Sequence, residues 1–230
     1  MRKGLKLVFK AFLLLLLSSQ RSQEVVLRGE AAVDLEPVYL VRLGEKTVID
    51  AETAAIWALE ECADAFSGMV YGWEFDYEPG ERARSLKEKL TLTALGSIKS
   101  EDPRIKISSA SIRDNVYYLW CDFNLSVEQQ FRLRTWNSAD KKERAVRGYS
   151  PLEGPEGITE RKMIKQSALE DAMKKAIRAA LAEKERNRPR IAHGKIALSA
   201  FPIYRIFAGN WAAQARFRVE ITEVIPFSAY

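Results

Sequence analysis

Two stretches of the chain carry hydrophobic residues at intervals of three and four, the spacing that gathers side chains on one face of an α-helix. The first stretch spans residues 51–66, follows Asp50 as a candidate N-cap, and is rich in alanine on its apolar face. The second spans residues 164–183 and ends before Pro189, which cannot continue a helix. Because alanine side chains are small, we expect both helices to lie close against a sheet.

Alternating hydrophobic and polar residues predict strands in the rest of the chain. The alternating segments are residues 24–34, 69–77, 86–98, 103–112, 115–127, 194–200 and 211–225. Gly29 in the first of these marks a bulge or a close approach of another group, and residues 131–135 are expected to extend the sheet. The pattern predicts an α+β fold in which one or more antiparallel sheets are packed by the two alanine-rich helices.

The order of a helix followed by antiparallel strands occurs twice along the chain. One interpretation is an internal α-β duplication with one helix on each of two sheets, and the other is that both helices pack on one shared sheet. We expect one half over residues 20–136 and the other over residues 159–230, packed together. The polar segment between them, residues 137–158, is rich in residues that form turns and is predicted to be a long exposed loop.

The first 19 residues have the organisation of a secretory signal. Residues 2–10 contain four basic residues and no acidic one, and five leucines over residues 13–17 are followed by small polar residues. The unbroken apolar run is too short to cross about 30 Å of hydrocarbon as an ordinary transmembrane helix. We therefore predict a signal peptide over residues 1–19 and a periplasmic or secreted mature protein, with an uncleaved N-terminal anchor as the alternative.

The positive charge of the chain is concentrated in this predicted leader. The chain contains 36 Lys and Arg residues and 31 Asp and Glu residues, which gives a formal net charge of +5. Four of these positive charges belong to residues 1–19, so the rest of the chain has a formal charge of +1. Nucleic acid binding needs clustered cations that neutralise phosphates. We expect no nucleic-acid partner, and membrane contact only through an uncleaved N-terminal segment.

Residues able to carry out acid–base or nucleophilic catalysis are few. The sequence contains a single histidine, His193, so a histidine-based zinc site would need carboxylates or cysteines around it. The P-loop, GxGxxG, HExxH and GxSxG motifs are absent. We therefore predict no enzymatic activity, no cofactor and no metal. The remaining catalytic hypothesis is a hydrolase that uses the carboxylates Glu74 and Asp76.

The candidate binding residues lie on the faces of predicted strands and beside them. The residues singled out for binding are Glu74, Asp76, Glu78, Trp136, Arg216 and Arg218. Successive carboxylates on one strand face are about 6–7 Å apart, although a solvated face explains the same pattern. Aromatic residues that stack on sugar rings if they are exposed are Trp73, Tyr77, Trp136 and Trp211. For Trp73 and Tyr77, core packing under the first helix is the other interpretation.

The two cysteines of the chain, Cys62 and Cys121, are 59 residues apart and form no CxxC motif. Cys62 falls on the apolar face of the first predicted helix and Cys121 on the apolar face of a predicted strand. They face each other if that helix packs on that sheet. An exported protein can keep a disulfide, so a disulfide and a pair of buried free thiols are the two alternatives.

The order of features over residues 25–127 resembles a known family. A strand that carries Gly29, Glu30 and Ala31 is followed by an alanine-rich helix and then by a meander of strands. This order is similar to that of the N-terminal domain of the flagellar ring accessory protein FlgT and of related small envelope lipoproteins. The resemblance implies a helix packed on an antiparallel sheet, a role in envelope scaffolding or assembly, and no catalytic residues. The chain lacks the lipobox cysteine of the lipoproteins.

These features favour a non-enzymatic bacterial protein of the periplasm or cell envelope that acts in assembly or scaffolding through contacts with another envelope protein. The resemblance adds an association with the flagellum. The expected contact regions are the loop over residues 137–158 and the strand faces at residues 74–78 and 216–220. The alternative is a glycan- or peptidoglycan-binding module that uses exposed aromatic residues, and the second alternative is a carboxylate-based hydrolase.

Overall fold

The computed structural model describes residues 25–37, 48–80, 86–138, 141–151, 160–185 and 189–227. The predicted leader lies outside the described residues. Within them the helices are α1 (Ala51–Val70), α2 (Val127–Trp136) and α3 (Glu160–Lys184). The strands are β1 (Val26–Asp34), β2 (Trp73–Glu78), β3 (Lys89–Ala94), β4 (Ile105–Arg113), β5 (Val116–Asn124), β6 (Glu143–Pro151), β7 (Ile191–Leu198), β8 (Ile203–Phe207) and β9 (Asn210–Ile225). The predicted α+β class is confirmed.

The strands form two antiparallel sheets of different size. The small sheet has three strands in the order β1-β5-β4. The large sheet has the order β3-β2-β7-β9-β6, and β8 also pairs with β9. Strands β4 and β5 form a hairpin, whose turn places Asp114 and Asn115 at positive φ values of 50° and 59°. Asn and Asp tolerate this conformation better than other residues with a side chain, which is why the chain reverses here.

Each of the two predicted helices covers one sheet. Helix α1 packs on β1 and β5 of the small sheet, and α3 packs on β6 and β9 of the large sheet. The side chain of Asp50 accepts a hydrogen bond from the backbone N–H of Thr53 at 2.8 Å and caps α1 as predicted. The buried residues of both helices and both sheets form one hydrophobic core, whose largest fully buried side chains include Phe66, Phe75, Phe123 and Phe217.

The sheets are not two copies of one unit. Strands β2 and β3 belong to the first half of the chain, yet β2 pairs with β7 of the second half over Trp73–Tyr77. A tandem duplication would give each half its own sheet. The internal duplication is therefore not supported, because the large sheet takes strands from both halves.

The predicted exposed loop over residues 137–158 is wrong for residues 143–151. These residues form β6, which pairs with β9 along its whole length. A Cβ atom on Gly148 would lie 2.0 Å from the backbone oxygen of Ala168 in α3, so glycine at this position lets the helix lie directly on the strand. Glycine indicates close helix–strand packing here, although its usual meaning in a polar segment is a turn.

Residues 131–135 do not extend the sheet. They belong to α2, which begins with a capping box in which the Ser126 side chain accepts from the backbone of Gln129 and the Gln129 side chain accepts from the backbone of Ser126. This pair of hydrogen bonds satisfies donors at the helix start and outweighs the alternating sequence. In the part of the chain that the structure describes, no helix is long and apolar enough to cross a membrane.

Candidate functional site: a groove between two strand edges

The predicted carboxylate ladder lies on the outer face of the large sheet. Glu74, Asp76 and Glu78 are exposed there. Asp76 Oδ1 lies 2.5 Å from Nδ1 of His193 on β7, and Glu78 lies 3.7 Å from Lys89 on β3. Among the residues that the structure describes, no group of three or more His, Cys, Asp or Glu residues is arranged to hold a metal ion. The ladder is a surface in which Asp76 and Glu78 contact a basic side chain, and Glu74 lies opposite Lys195 on β7.

Arg216 and Arg218 lie on the same outer face of the large sheet, with β7 between them and the carboxylates. Arg216 lies 3.5 Å from Glu143 on β6. Arg218 Nη1 donates a hydrogen bond to the backbone oxygen of Lys141 at 2.5 Å. The structure therefore brings the two predicted contact regions onto one face, and gives both arginines partners within the fold.

The aromatic residues predicted for sugar stacking do not form an exposed set. Trp136, Tyr77 and Trp211 are only 8%, 2% and 6% exposed, and Trp73 is half-buried. The Tyr77 hydroxyl donates to Glu88, and burial together with this hydrogen bond raises the pKa of Tyr77 to about 12. Tyr77 therefore packs in the core, which agrees with the core-packing interpretation, whereas the prediction that Trp136 offers its ring to a ligand is wrong because that ring is buried.

The two cysteines meet, as the sequence predicts for a helix packed on that strand. Cys62 on α1 and Cys121 on β5 are free thiols, 0% and 1% exposed, and they form a hydrogen bond with each other. Hydrogen bonding to Cys121 and burial raise the pKa of the Cys62 thiol. A protonated thiol is a poor nucleophile. The disulfide stays a prediction.

A groove between β1 and β8 is the feature best suited to binding. It has a volume of about 840 Å³, within the range of roughly 300–1,000 Å³ typical of ligand sites. One wall is β1, from Arg28 to Asp34, and the other is β8, from Ile203 to Ile206. Consecutive residues of β8 line the groove, so it is the edge of this strand that meets the groove.

Every second residue of β1 directs its backbone N–H and C=O groups toward the groove. The Val25 carbonyl accepts from Leu125 on the β5 side, and Leu35 N–H donates to Asn115 on the same side, so odd-numbered residues of β1 bond to β5. The Ala32 carbonyl points the other way and accepts from the Lys165 ammonium at 3.4 Å. The even-numbered residues therefore direct their N–H and C=O groups into the groove.

An ion pair enclosed by aromatic rings lines the back of the groove. The Lys165 ammonium on α3 lies 2.6 Å from the Glu61 carboxylate on α1, and the two side chains are 8% and 20% exposed. The same ammonium lies 5.0 Å from the ring centre of Tyr204 and 5.4 Å from that of Trp211. Burial also raises the pKa of the Tyr204 hydroxyl. The cluster joins α1, α3, β1 and the β8–β9 hairpin.

Gly29 has the role that its position in a strand predicts. A Cβ atom there would lie 2.3 Å from the ring of Phe201, and Phe201 packs edge-to-face on Phe66 with ring centres 5.9 Å apart. Glycine in β1 thus lets the segment before β8 approach β1.

Tyr118 and Trp120 on β5 also line the groove. Their rings are nearly parallel, with centres 5.9 Å apart, and the Arg113 guanidinium lies 5.4 Å and 5.7 Å from the two ring centres. Of the residues singled out from the sequence, only Gly29 and Trp211 lie in this lining, because the walls of the groove come from opposite ends of the chain.

Comparison with known proteins finds relatives without an assigned activity. A protein-family model, an uncharacterised Treponema family, matches residues 15–227. An uncharacterised protein of Treponema pallidum (strain Nichols) is 25% identical over 168 residues, which cover 73% of this chain and 68% of that protein. No solved structure matches the chain.

The resemblance to the FlgT N-terminal domain is wrong. The family that matches covers residues 15–227, almost the whole chain, whereas the resemblance covered residues 25–127 and depended on the order of elements. A strand, an alanine-rich helix and a meander occur wherever a helix packs closely on an antiparallel sheet, so their order does not identify a family. The association with the flagellum loses its basis with the resemblance.

Proposed function

We propose that this chain, which belongs to the uncharacterised Treponema family that matches residues 15–227, is a non-enzymatic cell-envelope protein. It acts in assembly by binding another protein. The observation that carries the proposal is the exposure of large apolar side chains on β8. Ile203, Ile206 and Phe207 are 49%, 48% and 56% exposed beside the groove. Neighbouring exposed apolar residues favour a protein contact.

The basic start of the chain, followed by five leucines, supports export to the periplasm or beyond. The chemistry of the described surface supports a role without catalysis. His193 lies on the outer face of the large sheet with Asp76 as its neighbour, and its side chain is 33% exposed. Catalytic groups generally lie in a cleft that positions the substrate and limits water.

The proposal is tested by photo-crosslinking in cells. A photoreactive amino acid at Ile206 is expected to crosslink the chain to one defined envelope protein. The matched control is the same amino acid at Thr91, which is exposed on β3 on the outer face of the large sheet. Equal crosslinking from both positions, or none from Ile206, would contradict the proposal. Fractionation of the same cells, with N-terminal sequencing of the mature chain, tests export and cleavage of the leader.

A glycan-binding module is the second candidate function. It is favoured by Tyr118 and Trp120, whose half-buried rings line the groove and were not among the aromatic residues predicted for stacking. Titration with a tetramer of N-acetylglucosamine should then change tryptophan fluorescence in the chain but not in the Trp120→Phe variant. An unchanged signal in the wild-type chain would exclude this candidate for that sugar.

A further inference from the structure

Part of the β1 edge is open in the described part of the chain. The N–H and C=O groups of Arg28 and Glu30 point into the groove, and none of the described residues forms a hydrogen bond with them. At Ala32 the edge is instead covered by Lys165. Unpaired backbone groups of an edge strand are a template for a further strand. The open stretch is therefore the N-terminal half of β1.

The register of β1 is suited to such an addition. All nine residues of β1 pair with β5 without a bulge, so the outward groups are evenly spaced. The groove beyond them has a volume of about 840 Å³, and β8 forms its other side. Strand β8 pairs only with β9 among the described strands, so its second edge is also without a strand partner.

The charges at the groove limit the chemistry of the occupant. Arg28 lies 3.4 Å from Asp122, its neighbour on β5, which leaves its charge compensated. Glu30 has no ion pair or hydrogen bond among the described residues. A residue placed beside Glu30 on an added strand would be a cross-strand neighbour about 5 Å away, where an opposite charge is favourable. A basic side chain fits this position.

The aromatic rings of the groove already have cationic neighbours. The Lys165 ammonium lies by Tyr204 and Trp211, and the Arg113 guanidinium lies by Tyr118 and Trp120. The groove-lining groups without a partner among the described residues include the backbone of β1 at Arg28 and Glu30, the side chains of Glu30 and Arg205, and the apolar side chains of β8. This distribution favours a polypeptide with alternating side chains over a sugar, which would stack on the ring faces.

We propose that the groove binds an extended segment of a partner protein, which adds as a strand to the Arg28–Glu30 edge of β1 and carries a basic residue beside Glu30. Main-chain hydrogen bonds provide the affinity, and the apolar side chains of β8 and the charge of Glu30 provide the selectivity. The inference deepens the proposed function and depends on it, because it names the site and the form of the partner.

The test starts from a displayed library of random ten-residue peptides, selected on the purified full chain. We expect enriched peptides that alternate apolar and polar residues and contain Lys or Arg. Affinities of a synthetic enriched peptide are then measured by fluorescence anisotropy with three forms of the chain: wild type, Glu30→Pro and Glu30→Ala. Proline removes the outward N–H and leaves the ladder to β5 intact, whereas alanine removes only the carboxylate.

Glu30→Pro is expected to weaken binding about tenfold or more, and Glu30→Ala by about threefold, because the backbone bond contributes more than one exposed charge. Circular dichroism checks that both variants fold. If Glu30→Pro fails to fold, the same peptide with alternate N-methylated amides replaces it, and it should lose binding to the wild-type chain. A Glu30→Pro variant that binds like the wild type, N-methylation without effect, or a library without enriched peptides overturns the inference.

Two further results separate this inference from the proposed function. Crosslinking from Ile206 that persists unchanged in Glu30→Pro cells would leave protein binding in place and overturn strand addition. Quenching of Trp120 fluorescence by the N-acetylglucosamine tetramer, together with peptides that do not compete with it, would assign the groove to a glycan and overturn the inference in favour of the second candidate function.

Discussion

The two outer strands of the small sheet, β1 and β4, are both nine residues long and both pair with β5, but they differ in regularity. Strand β1 keeps one register with β5 from Val26 to Asp34. Strand β4 has a register shift between Ile107 and Ser109, where Ser108 is the additional residue. Because a bulge disturbs the ladder and twists the strand, the edge of β4 is protected against a further strand and that of β1 is not.

The surroundings of the two strands differ as well. Helix α1 covers the inner face of β1, where Ala31 and Val33 are 1% exposed. Strand β4 extends beyond the helix and leaves Ile107 and Ile112 exposed. The strand with more exposed apolar surface is thus the one with the irregular edge. Exposed area alone would select β4 as the binding strand, whereas backbone geometry and a neighbouring groove select β1.

The largest expected effect on stability concerns β5, the strand that lies between β1 and β4. We expect the protein taken from cells to contain a disulfide between Cys62 and Cys121, and its reduction to lower the free energy of unfolding by up to about 4 kcal/mol on the chain-entropy model. Mass spectrometry of the denatured, unreduced protein should show a mass lower by two hydrogen atoms. The Cys62→Ala variant is the control, because its stability should not respond to reductant. Two alkylated thiols in the protein taken from cells would contradict this prediction.

The next largest effect on stability concerns the ion pair between Lys165 and Glu61 beside the β1 edge. Lys165→Met should lower the free energy of unfolding by about 2–3 kcal/mol, because it leaves the Glu61 carboxylate without its partner in a largely buried position. Lys106→Met on the exposed edge of β4 should change it by less than about 0.5 kcal/mol. Denaturant unfolding measures both values. Equal losses of stability in Lys165→Met and Lys106→Met would show that the edges of β1 and β4 do not differ in this respect.

A double variant shows whether the loss comes from the unpaired charge. Adding Glu61→Leu to Lys165→Met should recover more than half of the lost stability, since an apolar pair can replace a buried ion pair. If the double variant is as unstable as the sum of the single variants, the packing of the lysine stem explains the effect instead.

Gly29→Ala should be destabilising by about 1–2 kcal/mol, which is opposite in sign to the usual effect of glycine replacement in a strand. The reason is the 2.3 Å distance between the added Cβ and the ring of Phe201, which cannot move without losing its contact with Phe66. Ser109→Ala on β4, where the side chain is exposed, is the control and should have little effect. A more stable Gly29→Ala variant in thermal unfolding would show that Phe201 moves away at no cost.

The sequence predicted the elements whose own residues carry a strong period. Helices α1 and α3 and strands β2, β5 and β9 all have one buried face, so their spacing indicates their structure. Strand β6 was missed because Gly148 serves contact with α3, and β8 because Ala208 and Gly209 close its hairpin with positive φ values of 49° and 72° after only five strand residues. Helix α2 depends on the hydrogen bonds of Ser126 and Gln129 more than on an apolar face.

The candidate site was less accessible to prediction than the fold. The groove needs β1 and β8 side by side, and these strands are separated by almost the whole described chain. Gly29 was the one residue whose type indicated a close approach, and Phe201 proved to be its partner. The charged residues predicted for binding recur at every second position of a strand: Glu74, Asp76, Glu78, Arg216 and Arg218. This spacing indicates only which face of the sheet is exposed.

The smallest expected change in stability comes from removing the irregularity of β4. Deleting Ser108 should give β4 the same unbroken register as β1, because Ile107 already pairs with Cys121 and Ser109 with Trp120. The deletion removes the hydrogen bond that the Ser108 hydroxyl donates to the Trp120 carbonyl at 3.1 Å, a cost of about 1 kcal/mol or less. Light scattering should then show a molecular mass that rises with concentration above that of the wild type, because the regular edge with exposed Ile107 and Ile112 pairs with a second copy.

The matched control is Ser108→Ala, which loses the same hydroxyl but keeps the additional residue in the strand. It should have the mass of the wild-type chain at every concentration. If the deletion variant folds and also keeps the wild-type mass, a regular register is not sufficient to make an edge of this sheet accept a strand. The groove walls and the charge of Glu30 would then have to account for binding at β1, and peptides selected on the chain should lose affinity in Glu30→Ala as strongly as in Glu30→Pro.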